Sequence, residues 1–124
     1  MALAALKAGM AFSNTKTALA HSISYEMTLR YGLPHGIACS FPLPMVLARA
    51  IGRRADRDAV LEQALGGPLA NAPVRLGRFI EQFGVKTRFS DYGVSDEEAE
   101  QMVRHAQGGA RGKNFIGTAE ETLA

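Results

Sequence analysis

The chain has 124 residues, 47% hydrophobic and 21% charged, which gives one small domain enough apolar content to bury a core and excludes a disordered chain. Fourteen basic against twelve acidic residues leave a formal charge of +2, with Lys and Arg scattered and no basic stripe of interleaved aromatics, so nucleic-acid binding is not expected. The single cysteine, Cys39, rules out an internal disulfide and fits a reducing cytosol.

The predicted elements are helical throughout. Leu3, Leu6 and Met10 space a first short helix that ends near Phe12-Ser-Asn14. A second runs from about Lys16 to Leu29. No formal charge falls between Lys16 and Glu26, and Leu19, Ile23 and Met27 accompany a polar, uncharged stripe of Thr17, His21, Ser24 and Thr28 at i, i+4, i+7 and i+11. This helix therefore reads as buried nearly all round, with the small-polar stripe marking a cavity. A third helix begins at Pro34 or His35 and reaches about Ile51, kinked where Pro42 and Pro44 remove backbone donors. Cys39, inside its apolar run, reads as a small core residue.

A fourth helix fits Asp56 to Leu65 and stops at Gly66-Gly67. Asn71 can cap a fifth, with Val74, Leu76, Phe79, Ile80 and Phe83 as its buried face and Gly84 as its stop. Val85 to Phe89 is the only stretch that can be extended, and one strand without a partner makes no sheet. Ser95-Asp-Glu-Glu98 is a capping box opening a sixth helix to about Ala106, and Thr118-Ala-Glu-Glu121 repeats the signal for a short terminal one. Between them, Gly108 to Gly112 reads as a flexible loop; it lacks the Walker spacing and follows no buried strand, so it is not a phosphate cradle. The expected fold is an all-α bundle of about six to seven helices in a single domain over 1–124.

Export and membrane signals are not found. The N-terminus lacks a positive start and cleavage pattern, and the apolar run from Gly36 to Leu47 is too short to span a bilayer and is broken by prolines. The expected location is the cytoplasm.

His21 and His35 are two of only three histidines, fourteen residues apart. On one straight helix they would be about 21 Å apart, whereas ligands of one metal place their nitrogens about 2.0–2.1 Å from it. Gly32 and Pro34 between them can end one helix and open the next, putting His35 at the start of the second. The pair thus reads as half of a metal site; the alternative is a hydrogen-bonded core histidine at each position. His105 lies in a charged, exposed helix, and no carboxylate obviously converges, so the chain is short of ligands for a catalytic zinc-type site.

The run Ala8-Gly-Met-Ala-Phe-Ser-Asn14, then Ala20-His21, Leu33-Pro-His35-Gly-Ile-Ala38 and Leu43-Pro44 resembles the C-terminal helical domain of the iron-containing (group III) alcohol dehydrogenases. Its fuller wording, from Ala11-Phe-Ser-Asn-Thr-Lys to Gly36-Ile-Ala-Cys-Ser-Phe41, resembles the phosphonate-metabolism branch, whose members act as phosphonoacetaldehyde reductases. The likeness is strong from Ala8 to Leu47, with an echo at Gly112 to Gly117.

The resemblance implies that His21 and His35 join an Asp and a His from an upstream helix around one Fe²⁺ or Zn²⁺. It implies hydride transfer from NADH or NADPH, held by an N-terminal nucleotide-binding domain, to a small aldehyde. It also implies that Phe12 and Thr17 line the pocket near the nicotinamide. Many members carry a histidine where this chain has Tyr25, whose hydroxyl can take over its proton-relay role. A phosphonate group would need a cation, for which Lys16 and Arg30 are nearest in sequence, with Ser22 or Ser24 adding hydrogen bonds. The chain reads as roughly the last third of such an enzyme and as part of a homo-oligomer. The competing reading is an inactive helical fragment or assembly module that self-associates through apolar faces of its second and third helices.

Overall fold

The computed structural model describes residues 1–116, and among them every regular element is helical. Seven α-helices follow in order: α1 (Ala2–Phe12), α2 (Leu19–Tyr31), α3 (His35–Ser40), α4 (Leu43–Ala50), α5 (Ala55–Leu65), α6 (Ala72–Glu81) and α7 (Asp96–Gly108). The terminal helix expected at Thr118–Glu121 lies outside the described residues. Among these residues no helix is long and apolar enough to cross a membrane.

The core is built on α2. Leu19, Ile23 and Met27 are fully buried and meet Leu33 and Ala38 on one side and Met102, Val103 and Ala106 of α7 on the other. Phe41 fills the centre, its ring 5.0 Å from those of both Phe89 and Tyr92. A smaller cluster of Leu47, Leu69 and Ala72, flanked by Ile51, Leu61, Leu65 and Leu76, joins α4, α5 and α6. Removing a fully buried large apolar side chain such as Phe41 would cost roughly 3–5 kcal/mol.

Several expectations are corrected. Helix α2 starts at Leu19 rather than Lys16, so Thr17 precedes it. It is buried on one face only, since Tyr25, Leu29 and Arg30 are exposed, and of its polar stripe Ser24 sits inside the core while Thr17 and His21 line an open groove. The expected third helix is two, because the chain turns at Phe41-Pro42 before α4 begins. Two prolines two residues apart leave two backbone donors missing, which breaks the helix rather than bending it.

Helix α6 presents Ala72, Gly77 and Ile80 inward, while Val74 and Phe79 stand exposed, as does Phe83 just beyond it. Gly77 packs against Pro44 of α4, whose ring lies 3.7 Å from where a Cβ would stand, an ordinary contact distance. Val85 to Phe89 forms no strand, and Phe89–Tyr92 is a 3₁₀ turn. Among the described residues, exposed apolar side chains are concentrated on α1 (Leu3, Leu6, Met10, Phe12) and near α6, with Leu29 on α2, Leu43 on α4 and Val60 on α5 also exposed, whereas Leu19, Ile23 and Met27 of α2 are covered internally.

The capping box at the start of α7 forms as read: Glu98 N–H donates to Ser95 Oγ, and Ser95 N–H to Glu98 Oε2. The segment after α7 is an ordered 3₁₀ turn, Gly112–Asn114, rather than a free loop. Gly112 is buried so tightly against α7 that a Cβ there would lie 1.9 Å from Ala106 O and 2.5 Å from Gln107 Cα. Both neighbours are backbone, so they cannot swing aside. Gly112→Ala is therefore expected to destabilise the chain by about 1–3 kcal/mol, read as a lower urea midpoint. Gly108→Ala, where no atom lies within 4 Å of an added Cβ, should leave the midpoint unchanged or slightly raised.

Candidate metal centre

Helix α2 ends because Gly32 takes a left-handed conformation (φ 68°, ψ 18°), its N–H donating back to Met27 O and Thr28 O. Leu33 N–H also donates to Met27 O at 3.3 Å. Pro34 then stands as the N-cap of α3, which begins at His35. The chain reverses over three residues, and the two imidazoles meet with ring centroids 4.8 Å apart at an interplanar angle of 85°.

A third side chain joins them. Cys39 Sγ lies 3.5 Å from His21 Nδ1 and 3.5 Å from His35 Nε2, and the donor atoms of the three residues fall within 4.8 Å of one another. The sequence reading placed Cys39 in the core; it is half-buried and faces the histidines instead. A signal was present, because positions i and i+4 share a helical face and Cys39 follows His35 by four. It was missed because the apolar run around it read as core.

Ser24 supports the pair from behind. Fully buried, its hydroxyl donates to His21 O at 2.7 Å and lies 3.5 Å from His35 Nδ1. Ser22 Oγ donates to Ala106 O at 3.1 Å. Both serine protons are thus taken by backbone carbonyls rather than offered to a substrate. Tyr25, exposed, sets its ring edge-on to His21 at 5.3 Å.

Beside His21 opens a groove of about 500 Å³ lined by Phe12, Thr15, Lys16, Thr17, Ala110 and Arg111. Four residues singled out in the sequence, Phe12, Lys16, Thr17 and His21, come together here. Arg111 was not singled out: it lies 94 residues from Thr17, and nothing in the local sequence announces its position. Its Nε donates to Thr17 Oγ1 at 3.1 Å and its guanidinium lies over the Tyr25 ring at 5.3 Å. Arg30, by contrast, is held elsewhere. It pairs with Glu26 and, at 3.7 Å, with Glu98, in a second groove with Leu29 and His105. His105 is exposed and 3.6 Å from Glu26, away from the imidazole pair.

The fold and site define an all-α domain whose histidines converge at its surface beside a cation-lined groove. Its kinship follows from comparison with known sequences. The profile of the Fe-containing alcohol dehydrogenase family, C-terminal region, matches residues 1–123, and the chain belongs to this family. It is 32% identical over 115 residues to an NAD-dependent methanol dehydrogenase from Bacillus methanolicus, covering 86% of this chain and 30% of that protein. A phosphonoacetaldehyde reductase from Streptomyces viridochromogenes is 31% identical over 112 residues, covering 83% of this chain and 28% of that one. A 1,3-propanediol dehydrogenase from Klebsiella pneumoniae is 25% identical over 115 residues, 86% and 30% respectively. The chain thus spans less than a third of the length of these relatives. No solved structure matches it.

Burial, the adjacent His35 and the Arg111 guanidinium, in that order, hold the His21 pKa below its ordinary value of 6.5. The unfolded chain therefore takes up a proton at this position before the folded one does. Stability of the metal-free chain is expected to fall as pH drops through and below 6.5. His21→Gln should flatten that slope, which urea unfolding at a series of pH values would measure.

Proposed function

We propose that this chain is the metal-holding and substrate-facing part of an NAD(P)-dependent alcohol dehydrogenase that reduces a small anionic aldehyde of the phosphonoacetaldehyde type. The observation that carries this reading is the convergence of His21 and His35 beside a groove that contains Lys16 and Arg111. Neutral imidazoles suit Fe²⁺ and Zn²⁺ alike, and the resemblance assigns the remaining ligands, an Asp and a His, to an upstream helix. When bound, the divalent ion polarises the carbonyl oxygen and NAD(P)H supplies the hydride.

Phe12, Lys16 and Arg111 of the groove, and Tyr25, which lines the neighbouring groove with Arg30 and sets its ring against His21, then each have a task. Phe12, half-exposed, forms an apolar wall against which a short carbon chain and a nicotinamide can rest. Arg111 binds the anionic end of the substrate, its guanidinium oriented by Thr17 Oγ1 and the Tyr25 ring. Lys16 adds a second positive charge from the same wall. Tyr25 Oη donates the proton that completes the alcohol and recovers it from water. The likeness to the Streptomyces phosphonoacetaldehyde reductase supports an anionic substrate, although the methanol and propanediol dehydrogenases are similar to the same extent of the chain.

A second reading keeps the metal pair without turnover, as an assembly module. The exposed Leu3, Leu6, Met10 and Phe12 of α1 favour it. Concentration-dependent sedimentation of the chain, abolished by Leu6→Glu, is its expected signature.

The catalytic reading is tested by complementing the chain with the N-terminal portion of the Streptomyces relative and following NAD(P)H oxidation. Reduction of phosphonoacetaldehyde is expected, lost in His21→Ala and His35→Ala together with bound metal on elemental analysis. Arg111→Ala should raise KM for phosphonoacetaldehyde roughly 10- to 100-fold, the worth of one charged hydrogen bond, and leave KM for acetaldehyde unchanged. Equal effects on both aldehydes would remove Arg111 from substrate recognition.

A further inference from the structure

We propose that Cys39 is a third protein donor in this centre, so that the chain by itself offers a His₂Cys set to a thiolate-accepting divalent cation such as Zn²⁺ or Co²⁺. The proposal rests on reading His21 and His35 as ligands and goes beyond it.

Bond lengths decide the geometry. A tetrahedral ion with Zn–S near 2.3 Å and Zn–N near 2.0–2.1 Å sets its sulfur and nitrogen ligands about 3.5 Å apart. Cys39 Sγ stands 3.5 Å from His21 Nδ1 and 3.5 Å from His35 Nε2, so both sulfur–nitrogen edges already have the length such a site needs. The donor atoms of the trio all lie within 4.8 Å of one another.

The lone pairs also point the right way. Ser24 Oγ spends its proton on His21 O, which leaves it an acceptor for His35 Nδ1–H at 3.5 Å. With the proton on Nδ1, the free lone pair of His35 falls on Nε2, the nitrogen nearest the sulfur. A metal-bound imidazole usually donates its other ring N–H to an acceptor behind it, and Ser24 Oγ stands in that position for His35. Helix α3 supplies both His35 and Cys39 from one face, and α2 supplies His21 with Ser24 behind it.

On binding, the Cys39 S–H bond breaks, the sulfur–metal bond forms and the proton goes to solvent, with no change of oxidation state. Two neutral nitrogens and one thiolate favour Zn²⁺ over harder cations. In the chain by itself a fourth corner stays open to water, and the upstream Asp and His that the resemblance assigns would bring the ion to five-coordination.

The test is titration of the 124-residue chain with Co²⁺, followed by absorbance. One equivalent should bind with a near-ultraviolet sulfur-to-cobalt charge-transfer band and strong visible bands of four-coordinate cobalt, releasing one proton. Cys39→Ser and Cys39→Ala should both lose the charge-transfer band and weaken Zn²⁺ binding at least tenfold, with helical circular dichroism unchanged. Co²⁺ bound without that band, lost in His21→Ala but unaffected by Cys39→Ser, would overturn the role of Cys39 and leave the histidine pair standing. No binding, or binding indifferent to His21→Ala, would overturn both.

Discussion

The centre hangs on the reversal of the chain between Tyr31 and His35. Gly32 accepts a left-handed turn at little steric cost, and its N–H satisfies carbonyls at the end of α2 that would otherwise be orphaned. Pro34 cannot donate a hydrogen bond, but it stands where none is required, just before the first turn of α3. A residue with a Cβ at position 32 would strain this turn, and any change in its angle would swing His35 away from His21. Burial of Leu33 locks the turn against the core, so the same three residues that bring the imidazoles together also anchor the reversal.

Around that hinge the molecule divides its labour between a packed interior and a polar rim. The apolar contacts of α2 with α7 supply the rigidity, and Ser24, the buried polar side chain of α2, carries that rigidity toward His35. The rim is assembled differently. Ser22 joins α2 to the Ala106 carbonyl of α7 directly, while Arg111 to Thr17 and Asn114 to the Lys16 carbonyl tie the approach to α2 onto the segment after α7. These bonds hold two irregular segments in place, and Gly112 permits them by letting the chain pass close over α7.

Most helices were legible in the sequence because their signals are local. The Ser95 capping box, the Gly66 stop and the Gly32-Pro34 break each depend on residues a few positions apart. The errors have an equally physical origin. Apolar spacing shows that α6 has a face but not which way it turns, and in the structure Ala72, Gly77 and Ile80 face inward while Val74 and Phe79 do not. The histidine pair was visible as a pattern and a resemblance. Cys39 was hidden by the apolar company of its neighbours, and Arg111 by a separation in sequence that no local rule crosses. Arg30 was favoured by nearness along the chain, but a helix turn carried it toward Glu26 and Glu98.

The two halves of the site differ in how much chain each must wait for. His21, Ser24, His35 and Cys39 lie within a span of 18 residues and need only one helix-turn-helix to meet. The wall formed by Arg111 and Thr17 joins residues 94 apart and closes only when α7 has docked. On a growing or partly unfolded chain the imidazoles can therefore find one another while the groove is still missing. The cluster of His21, Ser24, His35 and Cys39 is thus the local part of this domain, and the wall of Arg111 and Thr17 is the part that waits on its C-terminal end.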